Sequence, residues 1–179
     1  MSESQPYGKF PSIFCFGVMD TAEVGRALAD GLYGGLLVLL SGFLGSGKTE
    51  LVRSIGEVLG IRDIKSPTFA IESIHGVTGK NFSLVHADLF RLDDPSAETE
   101  QLDAYLSDGH AVLVEWGQMW KNPPARDRWD IEIELASDEE DGRRVISMAG
   151  LGADALGRLS GAYLRMPDSL IARRGPSCP

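Results

Sequence analysis

The chain has 179 residues, of which 43% are hydrophobic and 24% are charged, and its 26 acidic and 17 basic side chains give a formal net charge of -9. This length and balance are typical of one soluble globular domain and exclude a disordered chain, which would have fewer apolar residues. The acidic excess disfavours direct binding of nucleic acid, because that affinity comes mainly from Lys and Arg side chains on phosphates. If RNA is involved, we expect a protein partner to hold it.

The two cysteines and the first residues of the chain indicate a cytoplasmic protein. Cys15 and Cys178 lie near opposite ends without C-x-x-C spacing, which suggests neither a metal knuckle nor a disulfide framework. Residues 1–10 lack a basic-then-apolar start, and no apolar run approaches the roughly 20 residues of a membrane span. We therefore expect neither export nor membrane insertion.

A helix and a buried strand open the predicted fold. Asp20 or Thr21 is expected to cap a helix that has apolar residues at every fourth position. Gly34 and Gly35 are expected to end this helix. Residues 36–40 form a short continuous apolar run. Such a run is typical of a strand that is covered on both faces in a parallel sheet.

A glycine-rich loop follows this strand directly. Residues 42–49, GFLGSGKT, match G-x-x-x-x-G-K-[ST], and the apolar spacing from Lys48 onward predicts a helix that ends at Gly60. In such a loop the glycines let backbone N–H groups turn inward, toward the phosphates of a nucleoside triphosphate. Lys48 would bridge the outer phosphates, and the Thr49 hydroxyl would bind magnesium. The placement between strand and helix disfavours an unrelated glycine-rich turn. The predicted nucleotide contacts here are Gly42, Leu44, Gly45, Ser46, Gly47, Lys48, Thr49 and Glu50.

Two carboxylates follow predicted strands further along the chain. A β-prone run at 68–74 and a second at 82–87 predict an antiparallel hairpin, and the second run ends on Asp88. A later buried run at 111–114 ends on Glu115.

Both carboxylates are candidates for chemistry. Asp88 has the position of a Walker-B carboxylate, which holds magnesium through its water shell. Glu115 could orient or activate an attacking water and is a further candidate metal ligand, because ligands of open α/β sheets lie beyond the carboxyl ends of parallel strands. The alternatives are a surface Asp and a salt-bridged Glu at strand ends. The predicted catalytic residues are Lys48, Asp88 and Glu115, and the predicted metal ligands are Thr49, Asp88 and Glu115.

The rest of the chain completes a mixed sheet. Residues 97–106 are predicted to form a helix. Alternation of apolar and polar residues at 129–135 predicts a strand with one face on the core. Residues 144–148 can pair with this strand across an acidic turn. We predict an α/β P-loop NTPase fold, a three-layer α/β/α arrangement with a parallel core and antiparallel strands. The predicted division is a P-loop ATPase domain at 1–150 and a C-terminal helical extension with a frayed tail at 151–179.

Several other positions stay open on the residues alone. The turn at 66–68 is either an ordinary start of a strand or a nucleotide sensor. His86 shares a side of its strand with the carboxylate that ends it, but a lone His is more often packed than catalytic. Trp116 and Trp120 can stack on a base, although core packing is the default for such residues. Arg91 can meet a phosphate or pair with a neighbouring Asp.

Four motifs in one order resemble a known family. GFLGSGKT, SPTF, HADLFRL and VEWG are similar to those of the TsaE (YjeE) family, small bacterial ATPases of tRNA threonylcarbamoyladenosine synthesis. The resemblance covers residues 20–135. It implies a magnesium-dependent ATPase that works with TsaD and TsaB, the pair that transfers threonylcarbamoyl to the adenosine beside the anticodon. ATP hydrolysis would reset that assembly between turnovers, and tRNA would be reached only through these partners.

The resemblance also implies roles for single residues, and it has two departures. The family usually has Asp where this chain has Phe43, and Pro where this chain has Gly117. Phe43 is not among the residues that touch phosphate, so we expect nucleotide binding to survive and partner contact or hydrolysis rate to be affected. By resemblance, Lys48 and Thr49 bind phosphate and magnesium, and Thr68 lies in a switch-like loop. The resemblance also implies that Asp88, Glu115 and Trp116 lie beside the metal or nucleotide. It further implies that Asp20 and Thr21 lie against the adenine.

Three other functions fit a phosphate-binding loop. A small-molecule kinase would need an acceptor pocket and an Arg-rich lid. Arg91 is the only arginine between Asp88 and Glu115, which is too few for such a lid. A GTP switch would carry an Asn-Lys-x-Asp guanine reader, which the sequence lacks. A nucleotide-dependent adaptor that no longer hydrolyses would bind ATP without releasing phosphate.

Overall fold

One mixed β-sheet with helices on both faces forms the protein. The computed structural model describes residues 5–62, 64, 71–124, 126–136 and 143–171. The strands in this part are β1 Tyr7–Lys9, β2 Ile13–Cys15, β3 Leu37–Ser41, β4 Glu72–Gly76, β5 Ser83–Asp88, β6 Ala111–Glu115, β7 Arg128–Leu135 and β8 Arg144–Leu151. The helices are α1 Val18–Ala29, α2 Lys48–Val58, α3 Ser96–Ser107, α4 Ala153–Arg165 and α5 Asp168–Ile171, with a 3-10 turn at Gly117–Met119. None of these helices is long and apolar enough to cross a membrane.

The sheet combines a parallel centre with antiparallel edges. Its strand order is β1-β8-β7-β3-β6-β5-β4, and β2 also pairs with β8. The centre is parallel, because β3 pairs in parallel with both β6 and β7, and β5 pairs in parallel with β6. The hairpins β4–β5 and β7–β8 are antiparallel, as the sequence predicts. The predicted mixed sheet is therefore confirmed.

The continuous apolar run of β3 reflects burial on both faces. Val38 and Leu40 pack in the larger core with α1, α2 and α4, whereas Leu37 and Leu39 pack in the smaller core with α3. The helices thus form two outer layers around the sheet, which confirms the predicted three-layer α/β/α arrangement. Helices α1 and α2 approach closely at Gly25, where an added Cβ would lie 2.8 Å from the Leu51 carbonyl oxygen.

Two predictions about the first part of the chain are wrong. Helix α1 begins at Val18 with Gly17 as its N-cap, so Asp20 and Thr21 lie in the first turns and do not cap it. The Asp20 carboxylate instead reaches back to accept a hydrogen bond from the Phe16 backbone N–H at 2.9 Å. The helix also ends at Ala29, before the predicted glycine stop.

Two short strands were not predicted, and one predicted strand is shifted. Strands β1 and β2 have three residues each and are held by antiparallel pairing with β8, which no local pattern indicates. The first strand of the predicted hairpin spans Glu72–Gly76, two residues past the predicted end at 74. Residues 68–70 of that prediction, and the turn predicted at 66–68, lie outside the described residues.

The predicted C-terminal helix is present and packs on the sheet. In α4, Leu159 is buried, whereas Leu164 is 77% exposed. The indole Nε1 of Trp129 donates a hydrogen bond to the Ala155 carbonyl oxygen at 2.8 Å, which fixes the start of α4 against β7. The predicted division of the chain at residue 150 stays a prediction, and residues 172–179 lie outside the described part.

Candidate functional site

The glycine-rich loop curls between β3 and α2. Gly42, Gly45 and Gly47 have positive φ angles of 141°, 77° and 112°, which other residues adopt only with strain. At Gly42 an added Cβ would also lie 2.3 Å from the Ile133 carbonyl oxygen. The Ser46 N–H donates to the Phe43 carbonyl oxygen at 3.2 Å and closes the turn. The sequence therefore needs glycine here to bring the loop over the end of the sheet.

Lys48 is held inside this loop. Its side chain is 4% exposed, and Nζ donates hydrogen bonds to the carbonyl oxygens of Gly42 at 2.8 Å and Phe43 at 2.9 Å. Burial lowers the pKa of the Lys48 ammonium, and the carboxylates of Glu115 and Asp88 oppose that effect. The predicted phosphate-bridging residue therefore lies at the centre of the loop.

A hydrogen-bonded chain of three side chains lies beside the loop. Glu115 is only 2% exposed, and its Oε2 accepts a hydrogen bond from the Thr49 hydroxyl at 2.8 Å. Its Oε1 lies 3.0 Å from Nε2 of His86, which is fully buried. His86 is therefore a buried, hydrogen-bonded residue, and its partner is the predicted catalytic glutamate.

Asp88 ends the neighbouring strand at the same edge of the sheet. In the parallel pairing of β5 with β6, Asp88 is the direct partner of Glu115. Its Oδ1 accepts a hydrogen bond from the Phe90 N–H at 2.9 Å, which orients the carboxylate at the end of the strand. The two carboxylates predicted from separate strand ends are thus brought together.

Trp116 forms one wall of the site and Trp120 does not. Trp116 has φ 61° and ψ 40°, a left-handed conformation that no other described non-glycine residue adopts. Its ring stacks on Phe90 with 4.4 Å between centroids, and Nζ of Lys48 lies 4.1 Å from its ring centre. Trp120 is buried in the smaller core. Trp116 also packs, partly buried, against this core, so the default prediction of core packing describes Trp120 fully and Trp116 in part.

The site is a single cleft of about 330 Å³ beside the glycine-rich loop. Its size is at the lower end of the range for small-molecule sites. Most of the predicted site residues line it, and Arg91 lies there as well. The lining residues are Leu44, Gly45, Gly47, Lys48, Thr49, Glu50, Asp88, Phe90, Arg91, Glu115 and Trp116.

The other predicted residues lie around the cleft or outside the described part. Ser46 is buried within the loop. Thr21 is 1% exposed and borders the loop, because its Cγ2 lies 3.7 Å from the position of an added Cβ on Gly47. Asp20 lies one residue earlier on α1 and is half-buried. Thr68 lies outside the described residues.

One contact to the loop was missed by sequence reasoning. Arg144, the first residue of β8, donates from Nε to the Ser46 carbonyl oxygen at 2.7 Å. The two residues are 98 positions apart, and no motif around Arg144 indicates the contact. The pairing of β8 with β7, and of β7 with β3, brings them together.

Comparison with known proteins identifies the family. The family model "Threonylcarbamoyl adenosine biosynthesis protein TsaE" matches residues 17–145. The chain belongs to the TsaE family. A TsaE protein from Streptomyces coelicolor is 43% identical over 73% of this chain and 90% of the relative. TsaE from Bacillus subtilis is 34% identical over 74% of this chain and 81% of the relative.

A solved structure supports the fold. The crystal structure of Bacillus subtilis YdiB superposes with a TM-score of 0.69 over 91% of this chain and 98% of that chain, at 24% identity. Together with the sheet order and the loop between β3 and α2, this likeness confirms the predicted α/β P-loop NTPase fold. The family resemblance in the four motifs is likewise confirmed by the family match.

Proposed function

We propose that this protein binds ATP with magnesium and hydrolyses it in support of tRNA threonylcarbamoyladenosine formation. The observation that carries the proposal is the convergence of Lys48, Thr49, Asp88 and Glu115 on one cleft beside the glycine-rich loop. Membership of a family named for threonylcarbamoyl adenosine biosynthesis supports the assignment of this cleft to that process.

The loop and Lys48 would bind the phosphates. The amides of the loop and of the first turn of α2 supply the positive end of a helix, to which phosphate oxygens bind without a further charge. Nζ of Lys48 now donates to two loop carbonyl oxygens, and phosphate oxygens would replace these acceptors. The lowered pKa of Lys48 is raised again by added negative charge, so bound phosphate favours the ammonium form.

The residues of the cleft fit a magnesium ion. The available donors are the Thr49 hydroxyl and the carboxylates of Asp88 and Glu115, all of them the oxygen ligands that magnesium prefers. Among the described residues, no group of three or more His, Cys, Asp and Glu side chains is arranged to hold a metal ion by itself. A site with few protein ligands suits magnesium, which keeps several waters and shares phosphate oxygens. When bound, the ion would neutralise charge that develops on the transferred phosphoryl group.

Glu115 would orient the attacking water. Its carboxylate is fixed on both sides, since Oε2 accepts from Thr49 and Oε1 contacts His86. A fixed acceptor in a buried setting can hold a water in line with the terminal phosphate, and positioning of this kind accounts for much of the catalysis of phosphoryl transfer. Lys48 and the loop amides would stabilise the charge on the phosphoryl oxygens.

Adenine would lie near the first turns of α1. Thr21 borders Gly47 of the loop, so this part of α1 is adjacent to the phosphate site. By the family resemblance, Asp20 and Thr21 would lie against the adenine, and Thr68 would belong to a switch-like loop near the nucleotide. The choice of adenine over guanine rests on that resemblance and on the missing guanine-reading motif.

TsaD and TsaB are the proposed partners. A chain with a net charge of -9 has little affinity for the phosphates of tRNA, so tRNA would be reached through those two proteins. The loop tip is open to a partner, because Phe43 is 80% exposed. In a cleft that no partner closes, water enters freely and ATP hydrolysis is usually slow. We therefore expect weak ATPase activity of the protein alone and stimulation by TsaB–TsaD.

Phosphate release and ATP binding together test the proposal. We would measure both for wild type, Lys48→Ala and Glu115→Ala, each alone and with TsaB–TsaD. Lys48→Ala should weaken ATP binding, and Glu115→Ala should bind ATP but lose most of the turnover. Lys80→Ala and Glu134→Ala remove exposed side chains of the same types outside the cleft and serve as matched controls.

Each outcome bears on a different part of the proposal. Equal turnover in wild type and both site variants would overturn the site assignment. Strong turnover of the wild type alone would overturn stimulation by partners. Tight ATP binding without phosphate release in any mixture would leave a nucleotide-dependent adaptor, and transfer of phosphate to a metabolite would indicate a kinase.

A further inference from the structure

The Arg144 side chain contacts backbone carbonyl oxygens of the glycine-rich loop and does not line the cleft. Its Nε donates to the Ser46 carbonyl oxygen at 2.7 Å, and its Nη2 lies 3.5 Å from the Gly45 carbonyl oxygen. The guanidinium also packs on the loop backbone, since an added Cβ at Gly47 would lie 3.3 Å from Nε of Arg144. The contact comes from β8, which β7 separates from β3 in the sheet.

The loop has a reason to need such a contact. Amides that turn inward to bind phosphate leave neighbouring carbonyl oxygens on the outer side, where their partial negative charges repel one another. Gly45 and Gly47 have positive φ angles, and glycine has more conformations to lose than any other residue. A guanidinium suits this position, because it is always charged and presents several N–H donors in a fixed plane.

We infer that Arg144 is a positioning residue that holds the phosphate loop, by its outer carbonyl oxygens, in the conformation that binds phosphate. This inference rests on the proposed function of the loop. Arg144 does not line the cleft and acts through Ser46 and Gly45. The neighbouring Arg143 lies over the ring of Phe16 at 5.8 Å instead, so the assignment is to Arg144.

The expected effect is on affinity rather than on turnover. The apparent dissociation constant equals the intrinsic one divided by the fraction of loop in the binding conformation. If loss of Arg144 reduces that fraction to about one-tenth, the Kd for ATP rises about tenfold. Bound nucleotide orders the loop again, so kcat at saturating ATP should stay within about twofold of wild type while KM rises.

The test compares Arg144→Ala and Arg144→Lys with wild type. ATP affinity is measured by calorimetry, and kcat and KM are measured with TsaB–TsaD. Lysine retains the charge and N–H donors but lacks their fixed planar arrangement, so Arg144→Lys should recover part of the lost affinity. Arg126→Ala serves as the control, because it removes an arginine that pairs with Asp103 at 2.9 Å outside the cleft. Melting temperatures of all variants show whether the fold is intact.

Amide hydrogen exchange of residues 43–49 without nucleotide gives a readout that does not depend on ATP. Exchange should be faster in Arg144→Ala than in wild type and unchanged in Arg126→Ala. ATP affinity within about twofold of wild type, with unchanged loop exchange, would overturn the inference. If the wild type itself binds no ATP, the proposed function fails, and loop exchange in Arg144→Ala still decides whether Arg144 holds the loop.

Discussion

Nε2 of His86 lies 3.0 Å from Oε1 of Glu115, and strand alternation brings the two side chains together. In β5, Val85 and Ala87 face the core with α3, so His86 faces the side of the sheet that α2 covers. Glu115 faces the same side, where it meets Thr49 at the start of α2. A buried carboxylate needs hydrogen-bond donors, and this pairing supplies one that does not depend on the nucleotide.

Replacement of His86 should therefore slow hydrolysis more than it weakens ATP binding. His86→Leu removes the donor to Oε1 of Glu115, and loss of such a supporting contact typically lowers activity about 10- to 100-fold. His86→Gln retains an N–H donor at a similar reach and should recover much of kcat. Phosphate release with TsaB–TsaD and calorimetric ATP affinity measure the two effects.

A melting curve separates this positioning effect from loss of the fold. His86→Leu leaves a buried acceptor unpaired, so its free energy of unfolding should fall by about 1–3 kcal/mol. The folded fraction at the assay temperature is then known for each variant. Equal kcat in His86→Leu and wild type, after that correction, would contradict a role for His86 in placing Glu115.

The sequence predicted the parts of the site that local patterns encode. The loop, Asp88 and Glu115 each follow an apolar run that defines a strand, and β6 spans Ala111–Glu115 as the run at 111–114 and its terminal glutamate predict. In a parallel sheet these strand ends meet at one edge, so their convergence also followed from the pattern.

The sequence could not predict features that depend on long-range pairing. Strands β1 and β2 are too short to show a period, and only their partner β8 defines them. The contact between Arg144 and Ser46 joins residues 98 positions apart through the β7–β8 hairpin. The place of Trp116 depends on a left-handed backbone conformation, for which a bulky residue gives no sequence signal.

Trp116 should report nucleotide binding by fluorescence. Its ring lies 4.1 Å from Nζ of Lys48, and phosphate would draw that ammonium away from its present contacts. The surroundings of the indole then change, so ATP should alter tryptophan emission in wild type. Trp116→Phe should lose the change, whereas Trp120→Phe, which alters the core tryptophan, should keep it. A full response in Trp116→Phe would contradict this prediction.

Two glycines should respond to alanine in opposite directions. At Gly117 an added Cβ would lie 2.7 Å from Cβ of Leu39 and 3.1 Å from its Cα, so Gly117→Ala should destabilise the protein by about 1–3 kcal/mol through overpacking. Gly157 is exposed within α4 and has nothing within 4 Å of an added Cβ. Gly157→Ala should therefore stabilise the protein by about 0.5–1 kcal/mol. Urea unfolding measures both changes, and a stabilising Gly117→Ala would show that the turn after Trp116 is loosely packed.

Tyr33 should make stability depend on pH in the alkaline range. Its hydroxyl donates to Oδ2 of Asp127 at 2.5 Å, and burial, followed by this hydrogen bond, raises the pKa of Tyr33 above its ordinary range. The unfolded chain ionises this tyrosine near pH 10, while the folded protein keeps the proton. The stability that Tyr33 contributes is therefore complete below about pH 10 and is lost as the pH rises further.

Tyr33→Phe separates this effect from general alkaline unfolding. At neutral pH the variant should be less stable than wild type by about 1–3 kcal/mol, because the hydrogen bond to Asp127 is lost. Above about pH 10 the difference should shrink, since only wild type loses stability through ionisation of this tyrosine in the unfolded chain, at up to about 1.4 kcal/mol per pH unit. Tyr7→Phe changes an exposed tyrosine and should follow the wild-type profile. Parallel unfolding profiles of wild type and Tyr33→Phe from neutral to alkaline pH would mean that folding does not hold the proton on Tyr33.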